Sequence, residues 1–178
     1  MGGDERLRLF CALRLPADVA GCLAEWQARQ LRGGRVVPAH DLHVTLAFLG
    51  HRPAGDLAGV VSALREAAPE TGAVRLRVAG YRETRSVAML TLDDGGGVAT
   101  ALAGRVQERL EAAGLYRREG RPWLPHVTVL RFRERPRLRP PLPEPGEIVP
   151  SDAAVYMSRL GPGGARYEVL ETVSLGGR

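Results

Sequence analysis

Leu42-His43-Val44-Thr45-Leu46-Ala47-Phe48-Leu49 and Leu124-Pro125-His126-Val127-Thr128-Val129-Leu130 are two settings of one pattern. Each is an apolar run, and each carries a histidine with a threonine two places on. Such short runs read as buried strands. Side chains two residues apart on a strand share a face, so each run offers an imidazole beside a hydroxyl. The chain has four histidines, and two of them open this pattern. The other two, His40 and His51, fit no pattern and read as loop residues.

The flanking sequence supplies the rest of a fold. Leu7, Leu9, Cys11, Leu13 and Leu15 alternate as in a half-buried strand over 6–15. Pro16 opens a helix over 17–31, with Val19, Leu23 and Trp26 on its apolar side and a stop at Gly33-Gly34. Strands follow at 36–37 and 42–49, then a turn at 50–53 and a helix over 57–68. Residues 74–81 and 87–92 read as a strand pair, and 98–113 as a third helix ended near Gly114. A basic loop, 117–124, leads into a strand over 126–132. Residues 133–145 are too rich in Arg and Pro for a central strand and read as an exposed excursion. Strands at 155–160 and 167–175 complete the chain. Strands and helices mix without the alternation of a doubly wound parallel sheet. The expected class is α+β: one domain over 1–178, made of two similar lobes face to face. Each lobe holds one motif strand, antiparallel sheets line a shared cleft, and helices pack outside.

With 178 residues, 44% hydrophobic and 25% charged, the composition is that of a globular protein. No apolar stretch is long enough to span a membrane. The start, Met1-Gly2-Gly3-Asp4-Glu5-Arg6, lacks the layout of a signal peptide, so a cytoplasmic monomer is expected. Cys11 and Cys22 read as free thiols, and no cysteine–histidine cluster suggests zinc. Asp93-Asp94 before Gly95–Gly97 reads as a turn and helix start, and the glycine run lacks the Lys-Ser/Thr ending of a P-loop. The net charge is +5, and all 25 basic residues are arginine. Coding bias accounts for that choice. A guanidinium is also the group that best grips phosphate through its planar fork.

Two imidazoles can act as acid and base near neutral pH, since the free side chain titrates at about 6.5. Opening a cyclic phosphodiester needs one group to take a proton from water and another to give one to the departing oxygen. Two histidines on opposite sides of a phosphorus do both, while two threonine hydroxyls donate to the non-bridging oxygens. Neither a metal nor an organic cofactor is required.

The chain resembles the two-histidine (2H) phosphoesterases, specifically the RNA 2′,3′-cyclic phosphodiesterases, also called LigT-like or 2′-5′ RNA ligase-like proteins. Arg8-Leu9-Phe10-Cys11-Ala12-Leu13 is similar to the family's opening strand, Leu42–Gly50 to its first motif and Trp123–Arg131 to its second. Ser158-Arg159-Leu160, with Tyr167 and Leu170, resembles its closing hairpin. The resemblance implies hydrolysis of RNA 2′,3′-cyclic phosphate ends, tRNA halves among them, to 2′-phosphomonoesters, and in some members reversible 2′-5′ ligation. It implies His43 as proton donor, His126 as proton acceptor, and Thr45, Thr128 and Arg131 as phosphate ligands. Strict alternation would put Arg131 on the face of Val129, away from the threonines, so a bulge or strand end must bring it round.

Several residues carry two readings at this point. Phe10 and Phe48 are core residues or stack a base. Tyr116, Arg121 and Trp123, around the basic loop, pack on the surface or contact RNA. Arg133, Arg135, Arg137 and Arg139 form a solvated stripe or follow a phosphate backbone. Rival functions are a cyclic phosphodiesterase for mononucleotides or short 2′-5′ oligonucleotides, and a module that binds nucleotide or RNA ends without turnover.

Overall fold

Residues 5–176 are described in a computed structural model. In chain order the elements are β1 (Arg6–Arg14), α1 (Ala17–Gln30), β2 (Arg35–Val36), β3 (His43–Pro53), α2 (Leu57–Ala67), β4 (Leu76–Glu83) and β5 (Val87–Asp94). Then come α3 (Val98–Ala112), β6 (His126–Arg131), β7 (Asp152–Gly161) and β8 (Gly164–Ser174). Each helix buries one stripe: Val19, Leu23, Trp26 and Gln27 on α1, Val60, Ala63, Leu64 and Ala67 on α2. On α3 the stripe is Ala99, Leu102, Ala103, Val106 and Leu110. That is the spacing of an amphipathic helix with one face on a core. Asp93 and Asp94, expected as a turn and helix start, instead end β5, and the Asp94 carboxylate reaches on to the first turn of α3, accepting from the Thr100 amide at 2.8 Å and from the Thr100 hydroxyl.

The strands form two antiparallel four-stranded sheets, ordered β3-β1-β7-β8 and β2-β6-β5-β4. Among the described residues, both motif strands therefore lie in different sheets. The lobes are not the two halves of the chain, however. β2 leaves the first half to pair with β6, and β7 and β8 return from the C-terminal end to complete the first sheet. α1 packs on the second sheet, where the Trp26 ring meets Tyr81 edge-on at 6.4 Å.

One further expectation is corrected. Residues 50–53 are not a turn but the end of β3, paired with the start of β1 from Leu9↔Gly50 to Arg6↔Pro53. Gly50, at φ 71°, absorbs a bulge, so the strand continues instead of reversing. The 133–145 excursion has no regular structure and is largely exposed, as expected, and it is pinned to the body. Pro141 accepts from the Trp26 indole at 2.7 Å, and the chain then re-pairs through Leu76↔Ile148.

Candidate active site

The two histidines are held in the same way. Nδ1–H of His43 donates to the Asp41 carbonyl at 2.6 Å, and Nδ1–H of His126 donates to the Leu124 carbonyl at 2.8 Å. A carbonyl can only accept, so each bond places the proton on Nδ1 and leaves Nε2 as the working nitrogen. In both copies the acceptor lies two residues before the histidine. Nε2 of His43 then accepts from the Thr45 hydroxyl at 3.0 Å.

After each threonine the strand bulges at the same point. Thr45 pairs with Ala12 and Ala47 with Cys11, which leaves Leu46 as the extra residue in β3. Thr128 pairs with Met89 and Leu130 with Ala88, which leaves Val129 as the extra residue in β6. The carbonyls of both extra residues are taken by glutamine side chains. Gln107 of α3 donates to Leu46 at 2.8 Å, and Gln27 of α1 donates to Val129 at 2.8 Å and to Val37 at 3.0 Å. One inserted residue reverses the alternation of a strand. The residue five places after each histidine therefore joins its face: Phe48 in the first copy, Arg131 in the second. This is the bulge that strict alternation required for Arg131.

The faces close on a cavity of about 260 Å³ lined by His43, Thr45, Thr128, Arg131, Arg8 and Arg35. A second groove of about 610 Å³ shares Thr45 and Phe48 with it and adds His126, Tyr116, Arg121 and Trp123. Residues 15–144 match the model of the 2′-5′ RNA ligase superfamily. The chain belongs to that superfamily. It is 33% identical to the RNA 2′,3′-cyclic phosphodiesterase of Thermus thermophilus, across 96% of this chain and 91% of that protein. It is 30% identical to the RNA 2′,3′-cyclic phosphodiesterase of Escherichia coli, across 97% of this chain and 98% of that one. The crystal structure of E. coli LigT complexed with 3′-AMP superposes with a TM-score of 0.80 at 25% identity, covering 96% of this chain and 99% of that chain.

Around His43, this member of the 2′-5′ RNA ligase superfamily is dry and aromatic. Phe10 lies 4.9 Å from the imidazole, stacked at 4.8 Å on Tyr156, with Tyr167 edge-on to His43 at 5.5 Å. The His43 pKa is pushed down to about 4, chiefly by burial and with help from the charges of Arg131 and His126, against the raising effect of the Asp41 carbonyl. His43 is therefore neutral at neutral pH. Phe10 is only 3% exposed, so it is the floor beneath His43 and not an open stacking surface. Phe48, at 48% exposed, is open, and the Arg8 guanidinium lies 4.7 Å above its ring.

Trp123 is more than a surface residue: its indole donates to the Thr45 carbonyl at 3.0 Å and ties the basic loop to the first motif strand. Tyr116 is half-buried at the end of the same groove, and the exposed Arg121 pairs with Glu119 at 2.7 Å. Arg131 crosses between lobes to donate to the Tyr167 hydroxyl at 2.9 Å.

Sequence reasoning missed Arg8, Arg35, Gln27 and Gln107. Arg8 was within reach, since it stands two residues before Phe10 on one strand face, where it donates to Ser158 at 2.8 Å. Arg35 was not, because only the β2–β6 pairing sets it beside Arg131. Its guanidinium lies against Gly164, at φ 99°, where a Cβ would collide with it.

Proposed function

We propose that this chain hydrolyses RNA 2′,3′-cyclic phosphate ends to 2′-phosphomonoesters, with His43 and His126 as the acid–base pair and no metal required. One observation carries the reading: each imidazole is fixed by Nδ1–H on a main-chain carbonyl two residues back, which leaves Nε2 as its working nitrogen. The relatives named RNA 2′,3′-cyclic phosphodiesterase, aligned over almost the whole chain, support the same substrate. Thr45 and Thr128 donate to the non-bridging oxygens, and Arg131 neutralises charge that grows on the phosphoryl group. In the assignment suggested by the resemblance, His126 takes a proton from water and His43 gives one to the departing 3′ oxygen. His43 then gains its proton when the anionic phosphate enters between it and Arg131 and offsets the guanidinium. The reverse assignment has its own support, because a neutral His43 is already a base.

The test is product analysis after incubation of chelator-treated protein with an RNA ending in a 2′,3′-cyclic phosphate. A 2′-phosphate product is expected. Release of the 3′-phosphate would overturn departure of the 3′ oxygen, and binding without any product would leave the chain a sensor of RNA ends.

A further inference from the structure

The catalytic cleft does not end at its own groove. A third groove, of about 640 Å³, runs along the outer edge of the second sheet beneath the 133–145 segment, and Arg82 lines both it and the groove that holds His126. Pairing explains why. Arg82 pairs with Met89 and Met89 with Thr128, so the three residues stand in one row on the cleft face. Two strand spacings separate Arg82 from Thr128, about 10 Å. Around the edge the segment presents Arg135, Arg137 and Arg139.

The segment is built to hold a shape. Glu83, its side chain 2% exposed, receives the Arg137 and Leu138 amides at 2.8 Å each, the Arg135 side chain at 3.3 Å and the Tyr81 hydroxyl at 2.7 Å. Arg137 is fixed at φ 56°, the one non-glycine residue with positive φ among the described residues. The carboxylate is thus occupied by the backbone and by Arg135. The guanidinia of Arg82, Arg137 and Arg139 have no acidic partner among the described residues. Ordering a loop around a buried carboxylate and leaving three guanidinia free makes a rigid cationic rail, where a solvated stripe needs no such anchor.

We propose that single-stranded RNA upstream of the reacting end leaves the cleft over Arg82 and lays its phosphates along Arg137 and Arg139. This rests on the RNA-end reading above, and it makes the protein favour an RNA strand over a cyclic mononucleotide. The rail reads charge spacing and not base identity, so the preference is for length.

The experiment compares wild type with the triple variant R82Q/R137Q/R139Q. Binding of a labelled RNA of about ten nucleotides ending in a 2′-phosphate is followed by fluorescence anisotropy across a salt series. Three phosphate contacts on a single strand correspond to a salt slope shallower by about 2, with affinity at low salt weaker by about tenfold or more. Turnover of a 2′,3′-cyclic mononucleotide stays within about twofold of wild type. A second triple variant, R29Q/R65Q/R159Q, removes the same charge at residues paired with glutamates outside these grooves, and it keeps the wild-type slope. Unchanged RNA affinity in the first variant, or an equal loss in the second, overturns the rail. Absence of hydrolysis by wild type would overturn the catalytic reading alone, because the anisotropy arm decides the rail without turnover.

Discussion

β3 and β6 are built to one backbone plan and carry different side chains at its last position. Each has a histidine braced by a carbonyl two residues before it, a threonine two residues after it and a bulge at the third residue. A glutamine holds the bulged carbonyl, and the fifth residue turns into the cleft. That fifth residue is Phe48 in β3 and Arg131 in β6. Their surroundings follow suit. His43 sits on an aromatic floor, whereas His126 opens onto a larger groove that runs past Trp123 toward Arg82 and Arg121. The comparison teaches that backbone geometry alone duplicates the site. Asymmetry comes from what surrounds each imidazole.

The sharpest way to break this comparison is to remove one histidine at a time and change the leaving group. H43A and H126A are each expected to lose about 10²- to 10⁴-fold in turnover of a cyclic phosphate. On an aryl phosphodiester, whose phenolate departs without a proton, the variant lacking the acid recovers most of that loss and the variant lacking the base does not. Recovery by H126A would assign the reverse roles.

A smaller effect tests the glutamines. Gln27 is fully buried and holds two carbonyls, while Gln107 is half-buried and holds one. Q27L is expected to cost about 2 kcal/mol in urea denaturation and Q107L about 1 kcal/mol, from carbonyls left short of a donor. If the bulge aims Arg131, Q27L also weakens inhibition by inorganic phosphate several-fold, and Q107L leaves it within twofold. Equal effects on phosphate would sink the idea that each glutamine serves its own strand.

The smallest effect concerns pH. The folded pKa of His43, about 4, lies below the unfolded value of about 6.5. Between those values the unfolded chain binds a proton that the folded chain does not, so stability is full above pH 6.5 and falls as pH drops toward 4. In H43N this part of the acid sensitivity disappears, worth about 1 kcal/mol near pH 4.5 after allowance for water in the cleft. Identical stability–pH curves for the two proteins would show that the imidazole is not desolvated.

Much of this was legible in the chain because strand periodicity is local. Histidine and threonine two residues apart must share a face, and the apolar residues between them must lie on the other. The class, the motif strands and the three helices followed from that kind of reasoning. Residues 50–53 misled it because a glycine in the left-handed region serves a bulge as readily as a turn, and only the partner strand β1 distinguishes the two. Phe10 and Phe48 were indistinguishable as sequence, since burial of one and exposure of the other depend on β7 covering the first. Arg131 was flagged, but the bulge that turns it was invisible. Its spare carbonyl is held by Gln27, 102 residues away along the chain, and by the Val37 amide.

The repeated His-x-Thr alone determined the chemistry on offer: two imidazoles and two hydroxyls, each pair on one strand face. Tertiary structure decided which side chains join them. A bulge exists only where a partner strand lacks a residue, and the glutamines that take the two spare carbonyls come from distant helices, so both are long-range facts. So are the exchange of β2 and of β7–β8 between lobes, the arginines it gathers at Arg8, Arg35 and Arg131, and the dry floor that holds His43 neutral.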